Sequence, residues 1–302
     1  MRNVIIVGSG PAGYTAAIYT ARAGLEPLLI ASSVEAGGEL MKTTEVENFP
    51  GFPNGLMGPE LMANMQAQAE RFGTEILLDD VVEVDVKIVK TGNGKTFEAK
   101  TVILATGAAY RELGLPREKE LSGHGVSWCA TCDGFFFREK QIAVVGGGDS
   151  AMEEAMFLSR FGTKVTLIHR RDSFKASKTM QERVINNPKI EIIYNAAVEE
   201  LLGDVNLTGL KLKNTVDGSI SEIPVDGLFI AVGSDPRVWL VENQLELTSE
   251  KFIQVEGRTS KTSLPGVFAA GDVIDPSYRQ AITAAGSGCV AALDAEHYLT
   301  SH

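Results

Sequence analysis

Residues 8–13 read Gly8-Ser9-Gly10-Pro11-Ala12-Gly13, directly after an apolar run at residues 4–7. This is the dinucleotide fingerprint, whose glycines allow a tight turn, close approach of the backbone to a pyrophosphate, and close packing of helix on strand. The apolar run predicts a buried strand, and residues 12–23 predict a helix that Gly24 ends. Residues 28–31 then predict a second strand. The stretch therefore indicates the first βαβ unit of an α/β domain.

The same pattern returns 138 positions later, counted from Gly8 to Gly146. Apolar residues 142–145 precede Gly146-Gly147-Gly148-Asp149-Ser150-Ala151, a helix ended by Gly162 follows, and residues 164–169 predict the next strand. One copy alone could be a glycine cluster that only packs a helix on a strand. Two copies in the same strand, turn and helix order favour two nucleotide sites.

Each copy also contains a predicted hairpin. Residues 82–89 alternate apolar with charged side chains, and the turn at residues 92–94 is expected to reverse the chain. In the second copy residues 210–214 and the turn at residues 217–218 play the same part. The two halves therefore have one design.

An apolar strand ending in glycine closes each copy, at residues 101–107 and at residues 228–233. One more buried strand follows at residues 266–272, and we expect it to return to the first sheet. The predicted fold class is α/β, with two Rossmann-like nucleotide-binding domains of three-layer type, the second inserted into the first. The first domain is expected at residues 1–112 and 242–302, and the second at residues 113–241.

The second nucleotide site carries a basic motif, because its second strand ends in His169-Arg170-Arg171. An NAD site usually places a carboxylate here and an NADP site an arginine. Each charged hydrogen bond to a phosphate contributes roughly 1.5–3 kcal/mol, so the motif favours NADPH over a solvated basic strand end. The first site lacks the usual acid after its second strand, which ends in Ser32-Ser33, and Glu35 is a doubtful substitute.

Between the two fingerprints lies Cys129-Ala130-Thr131-Cys132-Asp133. Half a zinc site, a structural disulfide and two buried thiols are the alternatives to a redox-active pair. Zinc needs about four ligands, and the four histidines are scattered, so we expect no metal. Asp133 could exchange protons with a thiolate, or be an ordinary turn aspartate. Cys289 is expected to be a packed helix thiol.

The composition limits the class of protein. With 302 residues and 44% hydrophobic content the chain suffices for two domains, and its net charge of -11 argues against a general nucleic-acid or anionic-membrane binder. No signal-peptide core and no run of about 18 apolar residues is present. Three cysteines suit a catalytic pair in a reducing compartment, so a cytoplasmic location is expected.

Taken together, these motifs resemble those of the low-molecular-weight thioredoxin reductases, which are flavoprotein pyridine nucleotide-disulfide reductases. The resemblance runs from about residue 4 to about residue 298. It rests on the two fingerprints, the cysteine segment, the basic motif, Glu45-Val46-Glu47-Asn48-Phe49-Pro50-Gly51, Gly266 to Asp272 and Arg279-Gln280-Ala281.

The resemblance implies FAD in the first domain and NADPH in the second. The implied FAD contacts are Gly8, Gly10, Pro11, Ala12, Gly13, Gly38, Glu39, Leu40, Asn48, Thr106, Gly107, Gly271, Asp272, Arg279, Gln280 and Ala281. The implied NADPH contacts are Gly146, Gly147, Gly148, Asp149, Ser150, His169, Arg170, Arg171 and Lys175. Lys175 stands where the family often has arginine, and Ser234 where it often has histidine.

The implied reaction passes a hydride from NADPH to FAD and electrons on to the cysteine disulfide, whose dithiol then reduces thioredoxin or a similar redoxin. Cys132 would face the flavin, Cys129 would attack the partner disulfide, and Asp133 would be the acid/base. The family also implies rotation of the second domain about hinges near residues 111–114 and 240–243, and a homodimer. A flavin dithiol oxidase and a non-catalytic nucleotide sensor remain alternatives.

Overall fold

The structure, a computed structural model, describes residues 1–34, 36–43 and 45–301. It divides into two compact units. Unit 1 contains residues 1–109 and the chain from Asp235 onward, and unit 2 is Tyr110–Ser234. The inserted unit thus begins three residues before the predicted boundary at 113 and ends seven residues before the one at 241. At its two ends the chain segments 108–110 and 234–236 pair as a two-stranded sheet.

In chain order the described strands are β1 (Arg2–Val7), β2 (Leu28–Ala31), β3 (Glu45–Val46), β4 (Leu56–Met57), β5 (Glu75–Leu78), β6 (Val81–Asp85), β7 (Ile88–Thr91), β8 (Thr96–Leu104), β9 (Ala108–Tyr110), β10 (Val126–Ser127), β11 (Gln141–Gly146), β12 (Lys164–Ile168), β13 (Ile190–Ile193), β14 (Ala196–Leu202), β15 (Gly209–Asn214), β16 (Ile220–Pro224), β17 (Gly227–Ala231), β18 (Ser234–Pro236) and β19 (Val267–Ala269). The α-helices are α1 (Pro11–Arg22), α2 (Gly58–Arg71), α3 (Ala130–Asp133), α4 (Asp149–Leu158), α5 (Lys178–Ile185) and α6 (Ala281–Ser301). Shorter 3₁₀ turns span Gly38–Lys42, Gly134–Phe137 and Gly271–Val273.

Unit 1 is built on a sheet in the order β5-β2-β1-β8, with β19 also paired to β8 and all five strands parallel. The pairing of β19 returns the end of the chain to the first sheet, as the sequence predicted. Residues of β1 alternate between two cores, because Val4 and Ile6 pack on the helical side and Ile5 and Val7 on the other. Burial of both faces explains why the parallel strands are continuous apolar runs.

The third layer of unit 1 is not helical. Strands β6 and β7 and the chain segment around residues 238–253 cover the second face of the sheet. The hairpin also differs from its prediction, since residues 82–89 do not form one strand. The chain reverses after Asp85, where Val86 has a φ of +53°, and reverses again between β7 and β8. A β-branched residue in this conformation gives no turn signal in the sequence.

Unit 2 repeats the design. A five-stranded parallel sheet has the order β10-β17-β11-β12-β13, and α4 and α5 pack on one face. The antiparallel sheet β14-β15-β16 packs on the other face, and its turn at residues 217–218 lies where the sequence predicted it. Two Rossmann-like domains, one inserted in the other, are therefore confirmed. No described helix is both long and apolar enough to cross a membrane.

Candidate active site and nucleotide-binding sites

The first fingerprint turn joins β1 to α1, and two of its glycines serve packing. Gly8 has a φ of +108°, and a Cβ there would lie 2.2 Å from the carbonyl oxygen of Ala105. A Cβ on Gly13 would lie 2.0 Å from the carbonyl oxygen of Gly8. The turn and the helix can therefore pack directly on the neighbouring backbone only because no side chain intervenes.

Gly10 has a different role, because a Cβ there would meet no atom within 4 Å. It precedes α1, whose N-terminus has no side-chain cap and no acidic residue, with Pro11 as the first helical residue. Gly38 borders the same space, since a Cβ on it would lie 3.4 Å from the Cα of Gly10. Uncapped N–H groups beside open space fit a pyrophosphate, so the residues present suit a dinucleotide.

The structure brings other predicted contacts of the first site together within unit 1. A Cβ on Gly271 would lie 2.9 Å from the Cβ of Ala12, which places the 3₁₀ turn beside the fingerprint. Asn48 donates a side-chain hydrogen bond to Gln280 at 3.3 Å. Arg279 and Gln280 directly precede α6, Ala281 begins it, and Leu40 lies within the 3₁₀ turn Gly38–Lys42.

The acid missing after β2 has a partial replacement that the sequence did not reveal. Asp80 accepts hydrogen bonds from the backbone N–H of Ser33, at 3.3 Å, and from its hydroxyl. These bonds, the hydroxyl of Ser33 first, hold the pKa of Asp80 below its usual value. A carboxylate therefore lies at the end of β2, contributed by the chain beyond β5. The earlier candidate, Glu35, lies outside the described residues.

Arg237 was also missed by sequence reasoning. Its guanidinium donates to the Glu39 carboxylate at 2.5 Å and to the carbonyl oxygen of Thr106 at 3.4 Å. The hydroxyl of Thr106 in turn donates to the carbonyl oxygen of Arg237 at 2.8 Å. A Cβ on Gly107 would lie 3.6 Å from the same guanidinium. Arg237 thus contacts or borders three predicted flavin contacts, Glu39, Thr106 and Gly107. Glu39 lies 198 positions before it in the sequence.

Asp272 is a carboxyl with a perturbed pKa. Burial raises its pKa to about 6, with a further increase from the negative charge of Asp275 and opposing effects from Arg279 and Arg237. The neutral and charged forms of this largely buried carboxyl therefore balance near pH 6. It can therefore donate or accept a hydrogen bond at the first site.

The second fingerprint in unit 2 repeats the geometry of the first. A Cβ on Gly146 would lie 2.4 Å from the carbonyl oxygen of Ala231, so this glycine serves packing as Gly8 does. Gly148 precedes α4 without a side-chain cap, and a Cβ there would meet no atom within 4 Å. Asp149 and Ser150 form the first residues of α4. This site also fits a pyrophosphate.

The basic motif lies beside this second fingerprint. Arg170, Arg171 and Lys175 have exposed side chains, and within the described part of the chain no acidic residue pairs with any of them. His169 is only 8% exposed, and its ring nitrogens lie 2.9 Å from the carbonyl oxygens of Gly146 and Ser173. The structure thus leaves three cations free for an anion and turns the histidine inward.

Cys129 and Cys132 form a disulfide, with their Cα atoms 5.3 Å apart. Cys129 precedes the short helix α3, and its sulfur accepts a hydrogen bond from the backbone N–H of Cys132 at 3.2 Å. Cys132 is exposed and Cys129 is half-buried. Among the described residues no group of three or more histidine, cysteine or acidic side chains could hold a metal.

Asp133 lies at the end of α3, and its environment goes beyond that of a turn aspartate. Burial raises its pKa, and a hydrogen bond of 2.6 Å from the Ser127 hydroxyl lowers it again in part. The same hydroxyl oxygen accepts the N–H of Cys129 at 3.0 Å. Ser127, which sequence reasoning missed, therefore links the acid to the backbone of the first cysteine.

A bridged cysteine pair, a carboxyl with a raised pKa and two dinucleotide cradles define an oxidoreductase that couples a pyridine nucleotide to a disulfide. The sequence model described as pyridine nucleotide-disulphide oxidoreductase matches residues 2–288, so the chain belongs to this family.

More particular relatives are thioredoxin reductases. The thioredoxin reductase of Streptomyces coelicolor is 60% identical over 100% of this chain and 95% of its own length. That of Mycolicibacterium smegmatis is 57% identical over 99% of this chain and 97% of its own. The solved structure of thioredoxin reductase from Giardia duodenalis has a TM-score of 0.94 and 42% identity, covering 99% of this chain and 100% of that one.

The two kinds of fingerprint glycine can be separated by substitution. Gly8→Ala is expected to destabilise the fold by roughly 3 kcal/mol or more, because the Cβ meets backbone at a positive φ. Gly10→Ala should leave the thermal unfolding of flavin-free protein unchanged but weaken flavin binding about tenfold, because its methyl group enters the pyrophosphate space. Unfolding scans and fluorescence titration with flavin check both. Flavin binding by Gly10→Ala at the unaltered affinity would contradict the assignment.

The hydrogen bond from Ser127 predicts a pH effect. Ser127→Ala removes the interaction that lowers the pKa of Asp133, so that pKa should rise further. With Asp133 as the acid of disulfide exchange, its protonated form then persists to higher pH. The alkaline limb of kcat/KM for the disulfide substrate, measured between about pH 5 and 9, should move upward. Asp133→Asn is the control that removes this limb. If the alkaline limb of kcat/KM does not move in Ser127→Ala, the ionisation that produces this limb is not that of Asp133.

Proposed function

We propose that this protein is an NADPH-dependent thioredoxin reductase that uses FAD and reduces the disulfide of thioredoxin or a similar redoxin. The observation that carries the proposal is the Cys129–Cys132 disulfide beside the raised-pKa carboxyl of Asp133, in a chain with two dinucleotide cradles. Thioredoxin is proposed as the substrate because relatives such as that of Streptomyces coelicolor, 60% identical across the whole chain, are named thioredoxin reductases.

The first site is proposed to hold FAD. The pyrophosphate would lie at the N-terminus of α1 beside Gly10, and Asp272 would hydrogen-bond a hydroxyl of the ribityl chain. FAD supplies the step that accepts a hydride and delivers two electrons to sulfur, which no side chain can perform. Arg237 holds Glu39 in an ion pair at 2.5 Å, so the carboxylate does not stand uncompensated beside the bound dinucleotide.

The second site is proposed to hold NADPH. Arg170 and Arg171 present planar guanidinium groups that match a phosphate, and neither is neutralised by an acidic residue within the described chain. Lys175 adds a point charge at a position where the family often has an arginine, whose guanidinium would make a planar contact with the phosphate. The three cations favour the 2′-phosphate that distinguishes NADPH from NADH.

Disulfide exchange assigns separate tasks to the cysteines. The Cys129 thiolate would attack one sulfur of the partner disulfide, forming a mixed disulfide and releasing the other partner sulfur as a thiolate. Cys132 would then attack Cys129, which reforms the internal disulfide and frees the second partner sulfur. Asp133 would supply the proton that a departing thiolate takes up. The N–H of Cys132 points to the Cys129 sulfur and would favour its thiolate form.

The surface supports proposals about partners. Phe135 and Phe136 are 50% and 37% exposed directly after α3, and Arg138 lies over the Phe135 ring at 4.6 Å, which suits docking of a redoxin. Phe137, by contrast, is buried against Phe229 and belongs to the core. A cytoplasmic location is proposed because a reducing compartment suits a dithiol that must cycle.

A homodimer is proposed from the resemblance and from α6. Ile282, Val290 and Leu293 are 45%, 36% and 43% exposed and lie at spacings that place them on one face of the helix. An apolar stripe of this kind suits a symmetric interface. Sedimentation equilibrium should give twice the 32.4 kDa of one chain, and a monomer at micromolar concentration would exclude it.

The exchange roles can be tested with single cysteine variants. Cys132→Ser leaves Cys129 able to attack oxidised thioredoxin but removes the thiol that resolves the mixed disulfide. We expect a stable complex of the two proteins on non-reducing gels, sensitive to dithiothreitol, with NADPH-dependent turnover lost. Cys129→Ser is the matched control and should form no such complex. Trapping by Cys129→Ser instead would exchange the two roles.

The phosphate contact can be tested by replacing Arg170 and Arg171 together with alanine. Losing two charged hydrogen bonds should raise the KM for NADPH at least about 100-fold, with kcat little changed. The KM for NADH should stay within about twofold, because NADH lacks the 2′-phosphate. Steady-state rates with both nucleotides and one redoxin provide the comparison. Equal increases for both nucleotides would remove the arginines from phosphate recognition.

A further inference from the structure

The segment that carries the basic side chains, residues 169–177, is fastened to the second fingerprint by its backbone. The N–H groups of Lys175 and Ala176 donate to the carbonyl oxygen of Gly147 at 2.8 and 3.1 Å. We call residues 169–177 the basic segment. It is therefore a continuation of the fingerprint turn in space, although more than twenty residues separate the two in sequence.

His169 makes a second connection between the basic segment and the fingerprint, through its side chain. One ring nitrogen lies 2.9 Å from the carbonyl oxygen of Gly146 and the other 2.9 Å from that of Ser173. Because carbonyl oxygens only accept, the doubly protonated ring can donate both bonds and either neutral tautomer one of them. A Cβ on Gly147 would lie 2.1 Å from a carbon of the ring, and Phe174 packs on the ring with centroids 5.0 Å apart.

This geometry does not fit a nucleotide contact. The ring of His169 is buried, and each of its two polar atoms is already directed at a carbonyl of the protein. No further donor or acceptor of the side chain is left for a ligand. The absence of a side chain on Gly147 is what admits the ring. The glycine thus serves the histidine as well as the turn.

Asp149 makes a parallel connection at the far end of the basic segment. Its carboxylate accepts the N–H of Ser177 at 2.9 Å and the hydroxyl of Ser177 at 2.8 Å. The backbone hydrogen bond of Ser177, followed by that of its hydroxyl, holds the pKa of Asp149 below its usual value. A carboxylate directed at a pyrophosphate would repel it. Directed at Ser177, it fastens the segment instead.

The arginine backbones are held by residues outside the fingerprint. The hydroxyl of Thr215 donates to the carbonyl oxygen of Arg170 at 3.0 Å, and the N–H of Asn195 donates to that of Arg171 at 3.1 Å. The two guanidinium groups remain exposed. The main chain at the arginines is therefore fixed, while the charged ends stay available.

We propose that His169 is a positioning residue that joins the fingerprint turn to the basic segment and thereby sets the preference for NADPH over NADH. The inference rests on the proposed role of Arg170 and Arg171 at the 2′-phosphate. A segment held in place before binding loses less conformational entropy when it meets the phosphate, so its two arginines bind more tightly. Asp149 assists through Ser177.

His169→Phe tests the proposal, because phenylalanine keeps the ring against Phe174 and removes the ring nitrogens that bond to the carbonyls of Gly146 and Ser173. The expected result is a KM for NADPH raised about tenfold, with the KM for NADH within about twofold and kcat unchanged. A direct contact of His169 with the parts shared by the two nucleotides would raise both KM values together. That outcome would overturn the proposal.

A double-mutant cycle gives a second criterion. In the Arg170→Ala and Arg171→Ala background, His169→Phe should change neither KM further, because nothing remains to be positioned. An additional loss of about tenfold in that background would show a separate role and would overturn the proposal. If the double arginine variant by itself raises the KM values for NADPH and NADH equally, the proposed phosphate site is wrong. That result is distinct from a failure of the His169 proposal.

Ser159→Ala is the matched control for general loosening of unit 2. It removes a buried hydroxyl that donates to Met156 at 2.8 Å and accepts from Asn187 at 3.0 Å, away from the basic segment. It should lower the unfolding temperature without altering the ratio of the two KM values. If His169→Phe does not fold, Ser177→Ala provides the test. It should raise the KM for NADPH by a smaller factor and leave the KM for NADH unchanged. No change of ratio in Ser177→Ala would then count against the proposal.

Discussion

The structure depends on contact between backbones that no side chain separates. At the first fingerprint the turn at Gly8 lies against the carbonyl of Ala105, and at the second the turn at Gly146 lies against that of Ala231. These contacts fix where each following helix begins, and each helix is preceded by a glycine, Gly10 or Gly148, so that no side chain caps its N-terminus. The unmet N–H groups are the proposed phosphate sites, so packing of the core and the proposed recognition of phosphate come from one local feature. The feature occurs once in each unit, so the chain has two such proposed sites.

Local features of this kind are what the sequence reveals well. The apolar runs, the glycine turns and their repetition predicted the two Rossmann-like domains, because each signal lies within a few neighbouring residues. The reversal at Val86 was not predicted, since a β-branched residue at positive φ is not a turn signal. The ion pair between Glu39 and Arg237 and the hydrogen bond between Ser33 and Asp80 were also missed. They join residues far apart in the chain, and the individual residue types have many other uses.

Two carboxyl groups in the structure have pKa values raised by burial, and they belong to different parts of the chemistry. Asp272 lies with the predicted flavin contacts, where neighbouring charges of both signs leave its pKa at about 6. Asp133 lies at the disulfide, where burial is opposed only by the hydroxyl of Ser127. Both environments disfavour the charged form of the carboxyl. A neutral carboxyl does not repel the negative charge that electrons bring to a sulfur or to a ring. The serine was not found from sequence because its role depends on a two-sided hydrogen bond and not on a motif.

The basic motif shows why adjacent residues of one motif need not share one task. His169 directly follows β12 and is buried, while Arg170 and Arg171 after it are exposed. His169 lies next to Gly147, whose lack of a side chain leaves room for the ring, whereas the arginines are exposed to solvent. The motif of three basic residues therefore combines one positioning residue, His169, with the two arginines that it is proposed to position. Sequence alone assigns all three to the ligand, because the space for the histidine ring is left by Gly147, which lies far from His169 in the chain.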